Sequence, residues 1–181
     1  MKQTDRSINS HDEIVFAEET PEESSEKVLE PWKLMIVDDD EAVHDMTRQV
    51  LEDFSFEHRS LTNLNVYSGK DAMRLIQEHP DIALVLLDVV METDHAGLEV
   101  VRYIREELHN TFVRIILYTG QPGQAPERRV IREYDINDYR LKSTLTAKEL
   151  YTAITSAVRS CRDLWNIQSM PRKLKQSSDD I

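Results

Sequence analysis

Several absences narrow the sequence before any motif is considered. One cysteine, Cys161, in 181 residues rules out an internal disulfide. No apolar stretch follows Met1, so no secretion signal is predicted and a cytoplasmic location is expected. Nowhere does the chain approach the roughly 20 consecutive apolar residues that span a bilayer, so direct membrane insertion is not expected. Positive charge is also scarce: 22 Lys and Arg face 34 Asp and Glu, a formal net charge of -12. With no basic patch to offset that balance, nucleic acid is excluded as a partner, because phosphate contacts are built mainly from Lys and Arg.

What remains is enough for one domain with appendages. Hydrophobic residues make up 40% of the chain, an ordinary supply for a single core. Half of the net charge lies in residues 1–30, where nine acids face Lys2, Arg6 and Lys27. Such a segment buries too little to offset about 1 to 2 kcal/mol of backbone entropy per residue, and a mostly disordered acidic leader is expected. Its Ile14-Val15-Phe16-Ala17 patch is either a docking element or a stray apolar cluster. Pro31-Trp32 marks the start of the folded part, expected over residues 31–161, and residues 162–181 are expected to form a helix extension and a polar tail.

From Lys33 onward, apolar runs alternate five times with stretches of helical period, the pattern of strand-helix units around a parallel sheet. The run Leu34-Met35-Ile36-Val37 precedes a helix beginning near Glu41, with Val43, Met46, Val50, Leu51 and Phe54 on its inner face. Asp40 and Glu41 suit the positive end of that helix, and His44 and His58 are expected at the surface. The second strand lies in Leu61–Tyr67, although Asn63 and Asn65 disfavour strands. Ser68 caps the next helix, which ends at His79-Pro80. After the third run, Ile82 to Leu87, a helix from Leu98 places Val100, Val101, Ile104 and Leu108 inward. Past Ile115-Ile116-Leu117-Tyr118, the segment Gln121 to Pro126 delays the fourth helix, whose Val130, Ile131 and Tyr134 should face inward. Thr146 and Glu149 form a capping box for the last helix. Its apolar period continues past Cys161 to Leu164, Trp165 and Ile167, either as a connector or as a fraying end.

The strand ends carry the chemistry. In open parallel sheets, ligands bind outside the carboxyl ends of the strands. There the first run ends in Asp38-Asp39-Asp40, the third in Asp88, the fourth in Thr119, and the segment Ile136 to Leu141 in Lys142. Carboxylates about 4 Å apart repel by about 4 kcal/mol at an effective dielectric near 20, so protons or a cation must be present. A hard divalent cation, Mg²⁺ at cellular concentrations, suits these oxygen ligands. An ammonium and a hydroxyl opposite the acids would stabilise the non-bridging oxygens of a phosphoryl group, which makes Asp88 a nucleophile able to form an acyl phosphate.

Val37-Asp38-Asp39, Leu86-Leu87-Asp88 with Met91 and Gly97-Leu98-Glu99, Tyr118-Thr119-Gly120, and Tyr139 three residues before Lys142 together resemble the receiver domain of bacterial two-component response regulators. The resemblance covers about residues 33 to 161. It implies a flavodoxin-like, doubly wound five-stranded parallel sheet of order 2-1-3-4-5 with helices on both faces. By the same resemblance, Asp88 accepts phosphate from a sensor histidine kinase or phosphotransfer protein. Asp39, Asp88 and the backbone carbonyl of Val90 bind Mg²⁺, and Asp38 assists through water. Lys142 pairs with the phosphoryl group, and Thr119 and Tyr139 form a switch. The wording of the loops resembles a subgroup often fused to cyclic-di-GMP or kinase modules. The resemblance thus implies a phosphorelay signalling module rather than an enzyme, controlling a downstream output module or protein, with a homodimer left open.

Three departures stand out. Glu92 replaces a proline usual after the methionine, within a loop Met91–Gly97 that is one residue longer than usual. Ser143 replaces the proline that accompanies a cis peptide after the lysine, and Pro122 to Pro126 form an insert. Val90 cannot orient an attacking water with its side chain, which implies a long-lived phosphoryl group. Two alternatives remain: a pseudo-receiver that binds partners without phosphorylation, and an aspartate-nucleophile phosphohydrolase suggested by Asp38 and Asp40. For the latter, Ala42 stands where a hydroxyl or valine is expected, and no substrate-cap segment is present.

Overall fold

Strand β3 (Ile82–Leu87) is buried at all six residues, as expected of a strand with neighbours at both edges and helices over both faces. A computed structural model describes residues 29–120 and 127–169, without the side chains of residues 127–129. In chain order the elements are β1 (Trp32–Val37), α1 (Glu41–Val50), β2 (Leu61–Val66), α2 (Gly69–Glu78), β3, α3 (Ala96–Arg102), β4 (Arg114–Thr119), α4 (Glu127–Glu133), β5 (Asp138–Leu141) and α5 (Ala147–Ser169). The strands form one sheet of order β2-β1-β3-β4-β5, and each neighbouring pair is parallel. This is the predicted flavodoxin-like topology. The order reverses between β1 and β3, so the crevice that such a reversal opens lies at their carboxyl ends.

Strand alternation divides the core in two. Leu34, Ile36, Leu84, Leu86 and Ile116 pack with Val43 of α1 and with Leu150, Ile154, Val158 and Cys161 of α5. Met35, Val37, Val85, Leu87 and Ile115 pack on the opposite face with Ala72, Ile76, Val100, Val101 and Ile104. Asn63 and Asn65 do not prevent β2, because β2 lies at the edge of the sheet with β1 as its partner. Asn65 is accordingly exposed.

The helix ends follow their caps. Asp40 is the N-cap of α1, its carboxylate accepting from the Ala42 amide at 2.9 Å, and Ser68 caps α2 by accepting from the Asp71 amide. The capping box of α5 forms in both directions: the Thr146 amide donates to Glu149 Oε2 at 2.8 Å and the Glu149 amide to Thr146 Oγ1 at 3.3 Å. Helix α5 continues to Ser169, where Trp165 stacks on Trp32 with ring centroids 5.7 Å apart.

Several expectations need correction. Helix α1 ends at Val50, and Leu51 and Phe54 are buried in the turns that follow it. Its fully buried stripe is Val43, His44 and Thr47, while the expected inner residues Met46 and Val50 are half-buried and pack on the same core. His44, expected at the surface, is fully buried. Helix α3 begins two residues earlier than expected and ends in a π-helical segment, Tyr103–Glu107. Ile131 is exposed, whereas Val130 beside it is buried. The acidic leader with Phe16, the Pro122 to Pro126 insert and the end of the polar tail lie outside the described residues. No described helix is long and apolar enough to cross a membrane.

Candidate functional site

Hydrogen bonds between β1 and β3 continue to the last residue of each strand. The Asp88 amide donates to the Val37 carbonyl at 2.9 Å, and the Asp38 amide to the Val66 carbonyl of β2 at 3.1 Å. Asp38 and Asp88 therefore leave adjacent strand ends at one level, and both are buried, at 1% and 6% exposure. Asp39 is exposed beside them. Oxygens of Asp38, Asp39 and Asp88 all lie within 4.8 Å of one another, so the three acids predicted to converge do so.

Lys142 supplies the counter-charge from the end of β5. Its Nζ lies 2.6 Å from Asp38 Oδ2 and 2.6 Å from Asp88 Oδ2. Its amide donates to the Thr119 carbonyl at 2.9 Å, which ties the ends of β4 and β5 together. Burial alone would lower the Lys142 ammonium, but the hydrogen bonds and charges of Asp38 and Asp88 outweigh it and hold the group above its ordinary value. Asp38 is pushed upward, first by burial and then by the neighbouring Asp88 charge, against the opposing pull of Lys142 and the Asp40 amide. Three carboxylate oxygens within 4.8 Å of one another make a ligand set of the kind a hard divalent cation takes.

The remaining predicted residues lie in β4, in β5 and in the loop after β3. Thr119, at 1% exposure, ends β4, and Tyr139, at 7%, lies in β5 within the core on the α2-α3 face. The Val90 amide donates to Asp88 Oδ1 at 3.2 Å, so the loop after β3 folds back over the acid. Close approach in that loop requires Gly97. A Cβ there would sit 1.9 Å from the Asp88 carbonyl oxygen, and the Gly97 amide donates to the Val89 carbonyl at 3.0 Å.

The sequence departures acquire physical roles here. Glu92 Oε1 accepts from the Gly69 amide at 2.8 Å, so it satisfies a free N–H at the start of α2 and ties the Asp88 loop to that helix. No described peptide bond is cis. Around Ser143 the chain turns through bonds from the Thr144 and Leu145 amides to the Leu141 carbonyl. Sequence reasoning missed His44, whose Nε2 lies 2.8 Å from the Asp38 carbonyl oxygen. Its burial follows from the rotation of α1, which turns Val43, His44 and Thr47 inward.

Comparison with known proteins agrees with this geometry. The family model described as the response regulator receiver domain matches residues 34–155. The 3'3'-cGAMP-specific phosphodiesterase 2 of Vibrio cholerae is 54% identical over 139 residues, which are 77% of this chain and 27% of the phosphodiesterase. A response regulator receiver domain protein from Clostridium thermocellum superposes with a TM-score of 0.62 at 22% identity, covering 74% of this chain and 98% of its own. The signal receiver domain of an HD domain-containing protein from Pseudomonas fluorescens gives 0.63 at 19% identity, covering 75% and 93%.

Proposed function

The chain belongs to the response regulator receiver family, and from that premise we propose that Asp88 accepts a phosphoryl group from a phosphohistidine of a sensor histidine kinase or phosphotransfer protein. The observation that carries the proposal is the shared ammonium: Lys142 bridges Asp88 and Asp38 at 2.6 Å while three carboxylate oxygens gather within 4.8 Å. Asp38 and Asp39 together with Asp88 would hold Mg²⁺, and the Val90 carbonyl is the fourth group proposed for it. When bound, the ion supplies positive charge against the oxygens of the incoming phosphoryl group.

The chain's own residues do the rest. An Asp88 carboxylate oxygen forms the new bond to phosphorus as the bond to the donor nitrogen breaks, and the electron pair leaves with the imidazole. Lys142 exchanges part of its contact with Asp88 for a phosphoryl oxygen, and the Thr119 hydroxyl takes another. Tyr139 follows Thr119 as the second half of the switch. The aliphatic Val90 side chain offers no group to orient water, which favours a long-lived phosphoryl state. We assign this exchange to the cytoplasm. The Vibrio cholerae relative is a phosphodiesterase almost four times the matched length, and we propose that α5, running on past Cys161 to Ser169, leads to an output of that cyclic-dinucleotide class.

Incubation with a small phosphodonor and Mg²⁺, followed by intact mass measurement, tests this. One phosphoryl mass gain is expected in the native protein and none in Asp88→Asn. Binding of Mg²⁺ with no mass gain in the native protein would leave a pseudo-receiver that works by docking alone.

A further inference from the structure

His44 is fully buried six residues after the first pocket acid. Its Nε2 lies 2.8 Å from the Asp38 carbonyl oxygen. A carbonyl only accepts, so Nε2 carries the hydrogen. Among the described residues Nδ1 has no partner. The ring packs 4.5 Å from that of Tyr67, centroid to centroid. An aromatic hydrocarbon would fill the same space without burying an unpaired nitrogen, an arrangement that stability alone disfavours. The single polar contact that the ring does make is directed at the backbone of the acidic pocket.

That contact acts on more than Asp38. The Asp38 carbonyl belongs to the planar peptide that joins Asp38 to Asp39, so holding its oxygen fixes the plane and the direction in which Asp39 departs. The other polar atoms of Asp38 are held as well: its amide by Val66, its Oδ1 by the Asp40 amide at 3.1 Å, and its Oδ2 by Lys142 at 2.6 Å. Asp39, exposed and next in the chain, inherits its placement from this clamp.

We propose that His44 is a positioning residue that aims Asp39 at the cation through the Asp38–Asp39 peptide, and that it thereby favours a small, strictly octahedral ion over a larger one. The proposal rests on the Mg²⁺-binding function above. Mg²⁺ demands near-ideal geometry, whereas Ca²⁺ tolerates variable coordination, so loosening Asp39 penalises Mg²⁺ more.

The test uses the full chain, titrated separately with Mg²⁺ and Ca²⁺ and followed by backbone amide chemical shifts of residues 39–41, with thermal unfolding in the absence of metal. His44→Phe keeps a ring against Tyr67 and removes the N–H, while His44→Gln keeps a donor. Mg²⁺ affinity is expected to fall about 10-fold in His44→Phe, with a smaller fall for Ca²⁺, partial recovery in His44→Gln and no loss of metal-free melting temperature. Unchanged Mg²⁺ affinity in His44→Phe, equal losses for the two ions, or unfolding of both variants would each overturn the role of His44 alone. If the native protein bound no Mg²⁺, the phosphoacceptor function would fall with it.

Discussion

The two ends of the sheet are built on opposite terms. At the amino ends, Trp32 is 2% exposed, stacks on Trp165, donates its indole N–H to the Phe56 carbonyl at 3.1 Å and carries the Arg59 guanidinium 3.7 Å above its ring. Those contacts bury apolar surface and satisfy the Trp32 indole N–H, so they stabilise the fold directly. At the carboxyl ends, the buried residues include Asp38, Asp88 and Thr119, and Asp38 is held above its ordinary value by burial. One end is arranged for packing. The other gathers three carboxylate oxygens within 4.8 Å of one another, a cluster whose mutual repulsion positive charge would relieve.

The largest effect should come from a substitution that crosses this division. Gly97→Ala would drive a methyl into the Asp88 carbonyl, 1.9 Å away, so a loss of about 3 kcal/mol is expected in denaturant unfolding. A loss below about 1 kcal/mol would show that the loop beside Asp88 yields easily. Trp165→Ala sharpens the contrast from the packed end, where removing a half-buried ring from Trp32 should cost about 2 kcal/mol and leave metal affinity at the acidic pocket unchanged. A change in metal affinity would mean that the two ends are coupled.

The smallest effect has the opposite sign. Asp38→Asn removes one of three clustered charges and should raise metal-free stability by about 1 kcal/mol at neutral pH while weakening metal binding. The pH dependence follows from the direction of the shift. Asp38 has a folded-state value above its ordinary 3.8, so the folded protein holds that proton more tightly than the unfolded chain, and the stabilisation is lost as pH rises through the folded value. The advantage of Asp38→Asn should therefore be near zero below about pH 3.8 and grow toward neutrality. An advantage that is constant across that range would place its origin elsewhere.

The sequence was most legible where one residue type had one use. The fully apolar run Ile82 to Leu87, the acids that follow β1 and β3, and the Thr146–Glu149 capping box each specify a local structure without reference to anything distant. It was least legible where a side chain serves a contact made by another element. Met46 and Val50 pack at the margin of the core as expected, but His44 looked like surface, because hydrophobicity ranks the residues of α1 but does not state the rotation of that helix about its axis. Burial of Val43, His44 and Thr47 shows that rotation, and packing on the sheet sets it. Ile131 was misplaced for the same reason: Val130 takes the inward position on the short α4. Glu92 read as a missing proline, because its partner is the Gly69 amide 23 residues away.

By itself, then, the chain determined the alternation of strands and helices, the parallel sheet and the set of groups at its carboxyl edge, since period, apolar runs and strand-end residues are properties of short segments. Only tertiary structure decided how those groups meet. Lys142, 54 residues from Asp88 in the chain, lies between Asp38 and Asp88, Gly97 packs against the Asp88 backbone, and His44 turns inward onto the Asp38 carbonyl. Their distances depend on how helices seat on the sheet, and no local pattern encodes that.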